Sequence, residues 1–212
     1  DVYKRLGLRN VVNLGDAVAV VADGYWQAKQ ALDQLPILWT ETGHESTEQS
    51  DIFNQFVTDM DTATANGEEI TDFETGDATA AMADAHSVVE VEYRVPYLSH
   101  APMEPMNCTA LVKRDHCELW APTQNPQGAQ RTAAKLTGFS NDEVIVHVTQ
   151  LGCGFGRRSR TDFIQDAVET AMKVDVPVKV VWTREEDMQH DYYRPATYNL
   201  CEAGLDKFGD PV

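Results

Sequence analysis

Apolar and polar positions alternate in two periods that mark out most of the chain. The run Ala17-Val-Ala-Val-Val-Ala22 is continuous and suits a buried strand, and Asp23 stands where it can cap a following helix. Ala28, Ala31, Leu32 and Leu35 then fall at i, i+3, i+4 and i+7, one apolar face of that helix. Pro36 stops it, and Ile37 to Thr40 reads as a second strand, which predicts a small strand, helix, strand layer.

Beyond that layer the pattern weakens and then sharpens. Between Gln30 and Tyr93 there is no Lys or Arg but fifteen Asp and Glu, a composition that predicts an extended connector. Ile52, Phe53, Phe56 and Val57 predict a brief helix within it, and Asp77 to Ala85 a second. Val88 to Tyr93 alternates Val and Glu, the mark of a half-exposed strand. Thr109–Val112 and Glu118–Ala121 flank a turn at Arg114-Asp115 and predict a hairpin. Asn125 then caps a helix with Pro126 at its first position, Ala129, Ala133 and Leu136 on one face and Gly138 as its stop. Val144–Val148 is the next strand. A helix carrying Phe163, Ile164, Ala167, Val168, Ala171 and Met172 follows, open to capping by Ser159 or Thr161, and Val178–Trp182 is a further strand. The order β, β, α, β, α, β predicts a mixed layer of sheet and helices, an α+β fold. Tyr198–Leu205 reads as a last strand and Asp206 to Asp210 as its turn, after which only Pro211 and Val212 stand where a partner strand should come. With Asp1 preceded by no leader pattern, the sequence reads as a piece of a longer polypeptide.

Charge and cysteine content narrow the function. The 212 residues hold 34 acidic and 17 basic side chains, a formal charge of −17. That balance repels phosphate backbones, and no basic stripe offsets it, so nucleic acid is excluded as a partner. Four cysteines and six histidines form neither a C-x-x-C nor an H-x₃-H pair, which argues against a protein-ligated zinc or cluster and for reduced thiols. The longest clean aliphatic run, Ala17 to Ala22, is far short of the roughly 20 residues of a membrane span.

Four segments could carry chemistry. Gly152-Cys-Gly-Phe-Gly156 lies between a strand and a helix, where backbone N–H groups and the helix dipole favour anions; equally, it could be a tight turn needing positive φ. Arg157 and Arg158 beside it suit either an anion ligand or a solvated face. The spacing is not G-x-G-x-x-G, since Arg157 or Ser159 stands at the third glycine position, so a dinucleotide fingerprint is excluded. Within His100-Ala-Pro-Met-Glu-Pro-Met-Asn107, two titratable groups sit beside stiffening prolines. Glu104 there suits a carboxylate holding backbone N–H groups, or a polar group at a site. Gln124 lies at a strand end just before a helix, where α/β sheets present ligand-binding groups, and has no capping duty of its own. Thr183 and Glu186 have capping-box spacing, and Arg184 can pair with a nearby carboxylate. Cys153, near a helix N-terminus, is a candidate nucleophile without an assignable base. No G-x-S-x-G, H-E-x-x-H or Walker pattern is present.

Taken together, these segments resemble the molybdenum hydroxylases of the xanthine oxidase and aldehyde oxidoreductase group. Ala19-Val-Val-Ala-Asp23 with Tyr25 to Leu32 is similar to the end of that family's α/β hammerhead domain. Gly76 to Tyr93, His100 to Pro105, Trp120 to Gln130, Gly152 to Arg158, Trp182 to Met188 and Tyr193-Arg-Pro195 resemble successive pieces of its molybdopterin-binding domain. The paired arginines after Phe155-Gly156, and Asn107-Cys-Thr109, are most similar to the isoquinoline 1-oxidoreductase branch, often labelled aldehyde dehydrogenase. The resemblance implies three parts: an end of a hammerhead-like domain over 1–40, an acidic connector over 41–84, and the N-terminal part of the molybdopterin-binding domain over 85–212.

It also implies roles. Gln124 matches the glutamine that hydrogen-bonds the apical ligand of molybdenum, and Gly154, Phe155, Gly156 and Arg157 match the loop that approaches the cofactor. The cofactor implied is molybdopterin in its dinucleotide form with molybdenum, held without protein metal ligands. The partners implied are an aldehyde or N-heterocycle and a small subunit carrying 2Fe–2S clusters. The family's general-base glutamate lies downstream of the region this chain matches, so the 212 residues alone are expected to be inactive. Two departures stand out: Cys153 replaces a customary glycine, and Arg157-Arg158-Ser159 stands where purine-oxidising members carry an acidic residue, which argues against purine hydroxylation. The other readings are a non-catalytic scaffold or assembly module, and a phosphate- or nucleotide-binding domain using the Gly152 to Arg158 turn.

Overall fold

A computed structural model describes residues Leu8–Val212. In chain order its elements are strands β1 (Leu8–Asn13) and β2 (Val18–Ala22), helices α1 (Tyr25–Leu32), α2 (Gln49–Asn66) and α3 (Ala78–Asp84), and strands β3 (Ser87–Val95), β4 (Asn107–Val112) and β5 (Cys117–Ala121). Then come α4 (Pro126–Thr137), β6 (Val144–Val148), α5 (Asp162–Ala171), β7 (Val178–Val181), α6 (Arg184–Gln189) and β8 (Thr197–Leu205). The chain forms two compact units, one from the segment up to Leu38 with Ser99–Tyr193, the other from Trp39–Leu98 with Arg194–Val212.

The first unit is built on a sheet of order β6-β5-β4-β7, in which β5 and β6 run parallel and the other pairs antiparallel. The parallel pair requires a crossover, and α4 supplies it. Alternation in β4 and β5 turns Cys108 and Ala110, and Cys117, Leu119 and Ala121, inward, where they meet Ala129 and Ala133 of α4 and Phe163, Ile164, Ala167 and Val168 of α5. All of these side chains are fully buried. The small residues of α4 allow that helix to lie close to the sheet, while α5 brings the bulk. The caps are those the sequence predicts: Asn125 accepts from the Gly128 N–H at 2.9 Å, and Gly138 stops α4 in the left-handed region at φ 79°. The order β, β, α, β, α, β from β4 to β7 stands as expected, and the fold is α+β.

The N-terminal layer differs from expectation. Strand β2 pairs antiparallel with β1, which carries Asn10 and Asn13 among its valines and so lacks a clear alternating signal. Both asparagines act locally: Asn10 donates to the Lys173 carbonyl at 3.1 Å, and Asn13 accepts from the Gly15 N–H at 2.8 Å. Asp23 does not cap α1, because its carboxylate pairs with Arg9 and Gly24 takes the cap position. Ile37 to Thr40 forms no strand; Leu38 is 96% and Trp39 63% exposed, so these apolar side chains have no layer to cover them.

In the second unit the acidic stretch holds more structure than its composition suggests. The helix expected around residues 52–57 runs the 18 residues of α2, opened by a Glu48/Asp51 capping box and closed by left-handed Gly67. Helix α3 forms over Ala78–Asp84 within the span read from the sequence, with Asp77 as its cap. Strand β8 finds its partner in β3, in unbroken antiparallel register from Ser87–Leu205 to Val95–Thr197, rather than in a strand after its own turn. Every residue of β3 is exposed, because a two-stranded ribbon shields neither face as a layered sheet would.

Candidate functional site

The loop between β6 and α5 is held from beneath by two buried arginines. Arg158, fully buried, donates to the carbonyls of Cys153 at 2.8 Å, Glu104 at 2.5 Å and Pro122 at 3.4 Å, and its guanidinium lies 3.0 Å from Glu104 Oε2. Arg157, 1% exposed, makes a two-pronged pair with Asp162 at 2.9 and 2.6 Å and places Nε 2.7 Å from Asp191 Oδ1. That last contact is an ion pair rather than a well-directed hydrogen bond. Trp182 and Tyr192 face the same guanidinium at 5.6 and 5.3 Å from their ring centroids. Neither arginine is a solvated face, and neither guanidinium is free for an external anion.

Glu104 acts as the carboxylate that holds backbone. It accepts from the Gly152 N–H at 2.9 Å and the Asn107 amide at 3.0 Å, while its own N–H donates to the Gly152 carbonyl at 3.0 Å. Burial alone would raise its pKa, but the Gly152 N–H, Asn107 and Arg158 outweigh burial and hold the carboxyl below its usual range. His100 turns elsewhere, its ring Nδ1 3.0 Å from Asp191, whose carboxylate also accepts from the His100 N–H at 2.6 Å and Ser99 Oγ at 3.0 Å. Thus His100 and Glu104, close in sequence, serve two separate anchor points. Arg184 pairs with buried Asp187 at 2.9 Å and donates to the Met103 carbonyl at 2.9 Å, fixing the Pro102–Met103 bend, and the Thr183/Glu186 capping box forms as expected.

On this base the loop takes an unusual backbone. Cys153 (φ 75°), Phe155 (φ 52°) and Gly156 (φ 94°) all lie in the left-handed region, two of them with side chains that disfavour it. So a cysteine occupies this conformation without help from a glycine's freedom. The N–H groups of Cys153, Gly154 and Phe155 meet no acceptor among the described residues, while Phe155 is 68% exposed. Gln124, at the end of β5, completes the surface. Its Oε1 accepts from the Gly156 N–H at 3.2 Å, its own N–H donates to the Arg158 carbonyl at 3.1 Å, and its Nε2 meets no acceptor among the described residues. A Cβ on Gly154 would stand 2.5 Å from Gln124 Oε1, so glycine is what lets loop and amide approach. Gln124, Gly154, Phe155 and Gly156 are therefore brought together, while Arg157 contributes its backbone to the loop and its guanidinium to the base.

A surface of free backbone donors beside a side-chain amide suits a ligand rich in acceptors. The loop fits an organic cofactor better than a bare metal ion, since among the described residues no group of three His, Cys, Asp or Glu side chains could hold one. Cys108 and Cys117 are structural: burial pushes their thiols up to about 12 and about 11. The pairing of Arg157 with Asp191 and of Arg158 with Glu104 has no signal in the sequence, because no spacing rule links residues 34 and 54 positions apart.

The molybdopterin cofactor-binding domain family matches residues 60–211. The chain is 27% identical to isoquinoline 1-oxidoreductase subunit beta of Brevundimonas diminuta over 94% of its length and 26% of that protein. It is 32% identical to the membrane-bound aldehyde dehydrogenase of Gluconacetobacter polyoxogenes over 89% of its length and 24% of that protein. The chain thus spans about a quarter of the length of these two relatives. The quinoline 2-oxidoreductase structure from Pseudomonas putida 86 shares its fold at TM-score 0.56 and 16% identity, over 94% of this chain and 28% of that one. The match over residues 60–211 places the chain in the molybdopterin cofactor-binding domain family, among the molybdenum hydroxylases of the xanthine oxidase and aldehyde oxidoreductase group.

Proposed function

We propose that this chain belongs to the molybdopterin-binding subunit of an oxidoreductase that hydroxylates an aldehyde or an N-heterocycle with oxygen from water and passes the electrons to an iron–sulfur small subunit. The observation that carries the reading is the Cys153–Gly156 loop, left-handed at Cys153, Phe155 and Gly156, whose free N–H groups lie beside Gln124. Bound there, molybdopterin in its dinucleotide form would supply the redox chemistry, and the chain would supply orientation and electrostatics. Gln124 Nε2 would donate to an oxygen of the cofactor, and the free N–H groups of Cys153, Gly154 and Phe155 to its other acceptors. Arg157 holds the loop from below through Asp162 and Asp191. Phe155, exposed on the same loop, would offer an aromatic face to a flat substrate. The names of the two curated relatives above support the substrate class, one a heterocycle and the other an aldehyde. The 212 residues by themselves do not turn over in this reading, because the family's general base lies outside them.

The test is elemental analysis of the protein purified together with its small subunit. Stoichiometric molybdenum, lost in Gln124→Ala while the fold persists, is the expected result. A well-folded, metal-free complex would replace this reading with that of a scaffold module.

A further inference from the structure

A cavity of about 420 Å³, lined by none of the residues Gly152 to Gly156, opens between α4 and the Ser159–Thr161 segment. Its cations come from two elements: Arg131 and Lys135 from one face of α4, and Arg160 from the loop. Among the described residues none of the three has a carboxylate at ion-pair distance, whereas Arg157, Arg158 and Arg184 in the same unit all do. Lys113, Arg114, Lys173 and Lys179 of the same unit lack one too, so what sets these three apart is that they line one concavity. Arg131 and Lys135, four residues apart on a helix, repel each other; Lys135 sits in the last turn of α4, where the helix dipole favours a cation, and Arg131 has no such help. Arg160 is fixed rather than free, its guanidinium 4.5 Å from the centroid of Tyr192, which also lines the cavity. At the cavity wall Thr132 donates to the Thr161 hydroxyl at 3.0 Å. Thr161 is the N-cap residue of α5, yet it makes no cap hydrogen bond, which leaves its O–H free to donate.

We propose that this cavity is an anion site for a phosphoryl group, separate from the glycine loop. Cations approaching from α4 on one side and the Ser159–Thr161 segment on the other match an anion with three or more oxygens better than a single carboxylate, which one arginine fork saturates. The depression is open and of a size that admits a small anion. The inference does not rest on the molybdenum reading, since the lining includes neither Gln124 nor any residue from Gly152 to Gly156.

The experiment is calorimetric titration of the intact protein with inorganic pyrophosphate, with inorganic phosphate and a polyglutamate peptide as comparison ligands. Saturable pyrophosphate binding is expected, weakened roughly tenfold in each of Arg131→Ala, Lys135→Ala and Arg160→Ala. Lys173→Ala, which removes an exposed charge elsewhere in the same unit, should leave it unchanged. Three results overturn the proposal: no saturable heat, equal weakening in Lys173→Ala, or binding that persists in the Arg131→Ala/Lys135→Ala double variant and so belongs to the glycine loop. A preference for polyglutamate over pyrophosphate would overturn it too, in favour of an acidic protein partner. Circular dichroism of each variant separates loss of the site from loss of the fold.

Discussion

Arg158 and Glu104 bind each other twice: the guanidinium Nη2 reaches the Glu104 carboxylate at 3.0 Å and its main-chain carbonyl at 2.5 Å. One fully buried side chain thereby ties the Pro102–Pro105 bend to the loop that follows β6. Because the same guanidinium also takes the carbonyls of Cys153 and Pro122, its removal leaves several acceptors without a partner. Arg158→Met is expected to cost about 3 kcal/mol of stability, less than a fully buried pair would, because Glu104 is 34% exposed and regains some water. Urea unfolding measures it, and a loss under about 1 kcal/mol would show that the pair carries little of the loop's stability.

The same carboxylate gives the acid limb a defined sign. Glu104 titrates below its ordinary 4.5 in the folded protein, so its contribution is complete above that pH and is lost as pH falls further. Asp191, buried and bonded to His100 and Ser99, shifts the same way from 3.8 and adds to the slope. Glu104→Gln should lower stability at pH 7 and flatten the decline below about pH 4.5. Thermal midpoints for both proteins across pH 3 to 7 decide it; parallel curves would remove Glu104 from the acid response.

Asp166 shows the opposite sign. Burial pushes its carboxyl up to about 7, only partly offset by Trp182 Nε1, which donates to it at 3.0 Å. The folded protein therefore keeps a proton that the unfolded chain releases near 3.8, and stability falls as pH rises between the two values. Asp166→Asn preserves an acceptor for Trp182 and removes the titration. It should stabilise the protein above pH 7 by about 1–3 kcal/mol while changing little near pH 4. Chemical unfolding at pH 4.5 and pH 8 tests this, and an equal change at both would mean that Asp166 does not titrate in that interval.

How much of this was readable in advance depends on the range of the interactions. Helix α4 could be placed from its own residues, because Asn125, Pro126 and Gly138 act on backbone within a few positions. Gln124 and the glycine loop could be singled out because a strand end and a glycine cluster are local signals. Arg157 and Arg158 could not be placed, since two adjacent basic residues look alike whether they face water or a core. Their counter-ions Glu104 and Asp191 lie far off in the sequence and are brought in only by the fold. Ile37–Thr40 misled for the same reason: a strand needs an edge to pair with, and local apolar content cannot say whether one is near.

Two glycines of the loop make the last distinction, between what holds the fold and what serves the site. Neither Gly152 nor Gly154 is left-handed, so substitution acts through space alone. A Cβ on Gly152 would stand 2.5 Å from Glu104 Cβ and 3.5 Å from its Cα, atoms anchored by Arg158 and Asn107, so the backbone itself would have to move. Gly152→Ala should therefore cost about 1–3 kcal/mol of stability, as overpacking does. On Gly154 the same Cβ would meet only the amide end of Gln124, at 2.5 Å from Oε1 and 3.2 Å from Nε2, and that side chain is exposed enough to swing aside. Swinging aside breaks its bond to the Gly156 N–H and withdraws Nε2 from the loop. Gly154→Ala should then leave the unfolding midpoint nearly unchanged while molybdenum content falls as in Gln124→Ala. Should the two substitutions destabilise alike while metal content holds, the Gln124 amide would be a packing element and the loop's ligand would have to be held by backbone alone.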